Sequence, residues 1–88
     1  MLQPKKETPQ ERIAQLTPQQ RLGARLKELR MSKGYSSSEK FALAINLNRT
    51  QYHSYEMGKG DIQFTTLVKI VAGLEISLKD FFSEGFES

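Results

Sequence analysis

Residues 47–60 read LNRTQYHSYEMGKG, and with Phe41 and Ala42 just upstream they decide the fold. A short helix ends near Ala44 and Ile45, a three-residue turn follows at 46–48, and a new helix opens at Arg49. Asn46 stands where such a turn needs a left-handed residue, a conformation Asn tolerates better than most. Leu47 plugs the turn into the interior, and Asn48 caps the helix that follows. Tyr52 and Tyr55, at i and i+3, share its inward face. Gly58 stops it, so the helix spans about 49–57. Its other face exposes Arg49, Thr50, Gln51, His53 and Ser54, all with side chains able to hydrogen-bond base edges.

Upstream, Thr17 followed by Pro18 is an N-cap with a first-turn proline. Leu22, Leu26 and Leu29 recur at i, i+4 and i+7 as an apolar stripe, with Arg21, Arg25 and Lys27 mostly off it. Gly34 closes this first helix. Tyr35 anchors the return of the chain, residues 36–38 offer three serine caps, and Glu39 falls in the first turn of the second helix. Downstream, Phe64, Leu67, Val68, Ile70, Val71 and Leu74 mark the most apolar helix, closed by Gly73 and Leu74. Ser77 with Asp80 three residues on caps a short last helix. There Phe81 and Phe82 divide between the core and a second surface. No strand alternation, internal repeat or sustained heptad is present. The expected fold is all-α, with five short helices over 17–83, a flexible arm over 1–16 and a tail over 84–88. Residues 1–18 hold all three prolines, with room for a helical turn near 11–16. The arm reads as a terminus without a role or as a mobile basic segment touching phosphates.

Eighty-eight residues allow one small domain with a thin core. The absence of cysteine excludes disulfides, thiolate zinc sites and a cysteine nucleophile. No apolar run approaches the ~20 residues that span a bilayer, and the basic N-terminus lacks the apolar core of a secretory signal, so a cytoplasmic protein is expected. Residues 1–59 carry eleven Lys/Arg against five Asp/Glu, a net +6, whereas residues 60–88 carry two against five, a net −3. That asymmetry suggests one face for a polyanion and another for a different partner; the plainer reading is an ordinary mixed surface.

Taken in order, LGARLKELR at 22–30, FA at 41–42, the turn ending in Leu47, Tyr52, YEMGKG at 55–60, Leu67 with Leu74, and ISLKDFF at 76–82 resemble the phage-repressor/Cro-type helix-turn-helix domain, the XRE family. The resemblance covers about 60 of the 88 residues. It implies a lambda-repressor-like five-helix fold whose third helix enters the DNA major groove. Three departures stand out. Residues 36–39 are Ser-Ser-Ser-Glu where the family often opens helix 2 with Thr-Gln or Ser-Gln. Asn46 replaces a turn glycine, and Ile62-Gln63 replaces Pro-Ser ahead of the fourth helix.

The resemblance assigns base contacts to Arg49, Thr50 and Ser54, with Gln51 beside them. Arg49 can donate bidentate to guanine O6 and N7, Thr50 offers a methyl to thymine, and Gln51 can pair with adenine or a phosphate. Phosphate contacts are expected from Ser37, Ser38, Lys40, Asn48, His53 and Lys59, which set register and salt dependence rather than sequence choice. Each of these residues alone reads equally well as a solvated side chain; the group on one face carries the argument. By the same resemblance Arg30 and Glu56 form an internal ion pair. Tyr52, Tyr55 and Phe41 belong to the core rather than to base stacking.

The function implied is a sequence-specific DNA-binding transcriptional regulator, of repressor type, acting on double-stranded DNA as a homodimer through the last helix with Phe81, Phe82 and Phe86. The alternative is an antitoxin or other interaction module whose terminal segment binds a partner protein. No enzyme activity, metal or cofactor is implied: His53 lacks companion ligands, and the glycines of 58–60 lack the strand context of a nucleotide loop.

Overall fold

The computed structural model describes residues 15–87. Five helices follow in order: α1 Pro18–Ser32, α2 Ser38–Ala44, α3 Arg49–Glu56, α4 Phe64–Gly73 and α5 Leu78–Phe81. Among the described residues there is no strand, as the all-α reading requires. The arm expected over 1–16 and its helical turn fall outside the described residues except for the last two positions.

Local chemistry accounts for most helix boundaries. At the start of α1 the Thr17 hydroxyl accepts from the Gln20 amide at 3.1 Å, while Gln20 Oε1 accepts from the Thr17 amide at 2.9 Å. This reciprocal arrangement satisfies two otherwise unpaired N–H groups. Among the three serines ahead of α2, Ser37 is the cap, its Oγ 3.1 Å from the Lys40 amide. Asn48 Oδ1 caps α3 through the Gln51 amide at 2.9 Å, and Ser77 caps α5 through the Asp80 amide at 3.0 Å. Gln63 precedes α4 without a side-chain cap bond.

Four helices end alike. The left-handed residues are Gly34, Asn46, Gly58 and Glu75. In each case that amide and the next reach back to the last turn, as Asn46 does to Leu43 at 3.2 Å and Leu47 to Ala42 at 2.8 Å. α4 closes at Gly73 and Leu74, as the sequence predicts, and Glu75, with φ 59°, makes the left-handed turn that follows. Gly73 also supplies space, because a Cβ there would run into the Ile45 side chain.

Phe41 sits at the centre of the core, meeting Tyr35 and Tyr52 edge-on at centroid distances of 5.0 and 5.2 Å. Leu26, Ile70, Leu74 and Phe81 are fully buried around it. Phe81 and Phe82 divide as expected, Phe82 staying 44% exposed. Phe64 and Val68, counted with the apolar face of α4, point outward, Phe64 being 64% exposed.

Arg25 departs furthest from its expected place off the stripe. Only 8% exposed, it donates from Nε to the Phe81 carbonyl at 2.7 Å and from Nη2 to the Asp80 carbonyl at 2.8 Å. Glu28 and Glu84 balance its charge. It thereby fastens the free carbonyl end of α5 to α1. Residues 84–87, set apart as a tail, lie back on the domain: Phe86 packs against Phe82 at 4.9 Å between centroids, and Arg21 donates to the Glu87 carbonyl at 3.1 Å.

α1 and α3 cross at Gly23, where a Cβ would overlap the carbonyl oxygens of Tyr55 and Glu56. Both obstacles are backbone, so neither can swing away. Gly23→Ala is therefore expected to lower the urea unfolding midpoint, costing about 1–3 kcal/mol despite alanine's better helix propensity. An unchanged or higher midpoint would refute the close crossing.

Candidate nucleic-acid interface

Two buried tyrosines fix which way α3 faces. Tyr52 and Tyr55 are locked into the core. Residues of an α-helix advance by about 100° each, so the face opposite this pair centres on Thr50, flanked by His53 and Ser54, with Arg49 at one edge and Gln51 at the other. Arg49, Thr50 and His53 are exposed and Ser54 is half-buried. Gln51 is exposed but falls at the edge of that face, its backbone amide spent on the Asn48 cap. The Ser54 hydroxyl donates to the Thr50 carbonyl at 3.1 Å, leaving its oxygen as an acceptor only.

The N-terminal ends of α2 and α3 open onto one shallow cleft of about 260 Å³, lined by Ser38, Glu39, Arg49, Thr50 and His53. Ser38 Oγ and His53 Nδ1 lie 3.2 Å apart across it. Arg49 Nη1 donates to Glu39 Oε1 at 2.8 Å, and both side chains remain largely exposed. The structure thus gathers Ser38, Arg49, Thr50 and His53 in one place. Ser37 and Asn48 serve first as helix caps. Lys40 is exposed next to the cap of α2, and Lys59 is exposed just past the left-handed Gly58 that ends α3.

Two participants escaped the sequence reading. In the sequence Glu39 reads only as a first-turn acid, yet it is the ionic partner of Arg49. The signal was there: opposite charges at the openings of two helices that face one groove. Lys69, from α4, donates Nζ to the Asn46 carbonyl at 3.1 Å and so braces the turn between α2 and α3. Nothing local to residue 69 announces that role.

Behind the exposed face lies a buried ion pair. Arg30 Nε meets Glu56 Oε2 at 2.7 Å and Nη2 meets Oε1 at 3.1 Å, a parallel two-bond fork. The remaining Nη1 donates to the Tyr35 carbonyl at 2.7 Å. The two side chains are only 6% and 5% exposed. The hydrogen-bonded Glu56 carboxylate raises the Arg30 pKa above its usual value, against the opposing effect of burial. The neighbouring Tyr52 hydroxyl is buried without a hydrogen-bond partner. Burial pushes its pKa far up, and the Glu56 carboxylate adds to the rise.

Among the described residues no group of three or more His, Cys, Asp or Glu could hold a metal ion, and no helix is long and apolar enough to cross a membrane.

With this geometry in place the comparisons with known proteins are direct. The helix-turn-helix family model matches residues 26–81, from α1 through α5. The chain belongs to the XRE-type helix-turn-helix family of DNA-binding transcriptional regulators. It is 47% identical over 64 residues to the control protein C.MunI of a Mycoplasma species, an alignment covering 73% of this chain and 86% of that protein. It is also 40% identical over 63 residues to an SPbeta prophage-derived uncharacterized HTH-type transcriptional regulator, YonR, of Bacillus subtilis strain 168. That alignment covers 72% of this chain but only 56% of YonR. No solved structure matches the chain significantly.

The buried phenol behind α3 gives a measurable pH dependence. Above the ordinary tyrosine pKa of 10.0 the unfolded chain loses the Tyr52 proton while the folded chain keeps it. The unfolded state then binds fewer protons, so this residue should lower folding stability by about 1.4 kcal/mol per pH unit as pH rises. Tyr52→Phe should remove that part of the alkaline slope. At pH 7 the variant should match the wild type or exceed it by up to about 1 kcal/mol, since an unpartnered hydroxyl is lost. Urea titrations from pH 7 to 11 compare the two; parallel curves would contradict the assignment.

Proposed function

We propose that the chain is a sequence-specific, dimeric repressor that lays α3 in the major groove. The observation that carries this reading is the exposed face of α3, centred on Thr50 and opening with Arg49, set beside the N-terminal end of α2 in one cleft. Arg49 donates to a guanine edge and Thr50 contacts a neighbouring base. Ser54 accepts from a base or a water, and Gln51 reaches the flank. Ser37, Ser38, Lys40, Asn48, His53 and Lys59 meet phosphates on either side, giving orientation and salt dependence without sequence choice.

One α3 supplies few base contacts, and two copies bound a helical turn apart supply the missing discrimination. Support for self-association comes from a largely apolar groove of about 540 Å³ lined by Leu16, Pro18, Leu22, Leu67, Phe82 and Phe86 together with Arg21, Phe82 being half-exposed. Such a surface on a small domain suits a second copy of the chain.

Selection from a random duplex library tests the reading. The expected winner is a palindrome with half-sites about ten base pairs apart, centre to centre. Enrichment of nothing above background would sink it. On the selected duplex, Arg49→Ala should lose about 1–3 kcal/mol and relax preference at one base pair in each half-site. Lys59→Ala should weaken every duplex alike and reduce the salt slope by about 1. Uniform losses from both variants would dissolve the division between readers and positioners. Phe82→Ser should weaken self-association about tenfold or more in sedimentation experiments, with the monomer still folded.

A further inference from the structure

Among the described residues, Glu39 is the only acidic side chain lining the cleft it shares with Ser38, Arg49, Thr50 and His53. A carboxylate there works against the polyanion that the cleft is read as receiving, so its presence needs a reason. Stability is a poor one. The Glu39–Arg49 pair is exposed on both sides, 54% and 64%, and such pairs contribute little to folding. Capping is another poor one, because the cap of α2 is already Ser37, and an exposed charge in the first turn of so short a helix adds only a little. The Glu39 carboxylate is instead directed across the cleft at Arg49 Nη1.

A guanidinium is planar and carries five N–H donors in a fixed fork. Holding one Nη1 hydrogen leaves Nε and Nη2 as a free edge, the geometry that pairs with guanine O6 and N7. An exposed arginine without such a tether samples many rotamers, and freezing it on binding costs affinity. The tether therefore does two things. It presets the plane in which Arg49 offers its free edge. It also places a negative charge where only a site supplying a guanine, and so engaging Arg49 fully, makes up for it.

We propose that Glu39 is a specificity-determining positioning residue that acts through Arg49: it orients the guanidinium toward one base pair and opposes sites lacking that base. The proposal rests on the reading of α3 as the major-groove helix.

The test uses the full chain and three duplexes: the selected one, the same duplex changed at the base pair whose preference Arg49→Ala relaxes, and an unrelated one. Glu39→Gln keeps the shape and removes the charge; its melting temperature should stay within a few degrees of the wild type's. Binding to the unrelated duplex should tighten. Discrimination between the first two duplexes should fall roughly fivefold or more, while discrimination at other base pairs stays as it was. In the Arg49→Ala background, Glu39→Gln should leave discrimination at that base pair unchanged. If Glu39→Gln tightens all three duplexes by one common factor, with and without Arg49, the carboxylate is only a diffuse charge and the proposal is overturned. Unaltered binding to every duplex overturns it as well. A wild-type chain that prefers no sequence overturns the reading of α3 itself, and with it this proposal, before any Glu39 variant is made.

Discussion

The Arg30–Glu56 pair is the constraint around which the rest of the domain is arranged. It joins the last turn of α1 to the last residue of α3, and its spare N–H takes in the Tyr35 carbonyl from the connection to α2. Three separate pieces of chain meet at one guanidinium. Both charges are almost fully removed from water, and such a pair is tolerable only with good geometry and with its remaining donors satisfied. Here the fork is two-bonded and the carbonyl completes it. The cost of disturbing it falls on α3, whose exposed face is turned outward by what is held on its inner one.

α3 needs that support because it is short. Eight residues are too few to remain helical alone, so its helicity comes from its cap, its C-terminal turn and the packing of two tyrosines. Gly23 lets the α1 backbone come against the end of α3, and Asn46, braced by Lys69, fixes the turn ahead of it. The four helix endings of one design keep the connections short and the crossing angles defined. A helix held this way presents Arg49 and Thr50 from a rigid base, which is what discrimination between base edges requires.

What could be seen in the sequence was what depends on near neighbours. Thr17 with Pro18, Ser77 with Asp80, Asn48 ahead of a helix and Asn46 in a left-handed turn each follow from chemistry within four residues. So did the period that turns Tyr52 and Tyr55 inward, and with it the composition of the outer face. What could not be seen depends on what lies across a contact. Arg25 sits beside the leucine stripe, and only the approach of α5 converts it from a surface charge into a buried clamp on two carbonyls. Gly73 does end its helix, but that it must also leave room for the Ile45 side chain, and that Glu75 takes the left-handed conformation beyond it, depend on how α2 and α4 meet. The Glu39–Arg49 contact spans ten residues and two helices. In the candidate site, the outward face of α3 was legible and the web that orients it was not.

The placement of the tyrosines gives the molecule an optical property. The chain has three tyrosines and no tryptophan, so its near-ultraviolet emission is tyrosine emission alone. Two of the three lie on the inner face of α3, and the third, Tyr35, rests edge-on against Phe41 and lends its carbonyl to Arg30. All three chromophores thus surround the seat of one helix. The unlabelled protein consequently carries a built-in reporter whose intensity follows how firmly α3 is seated.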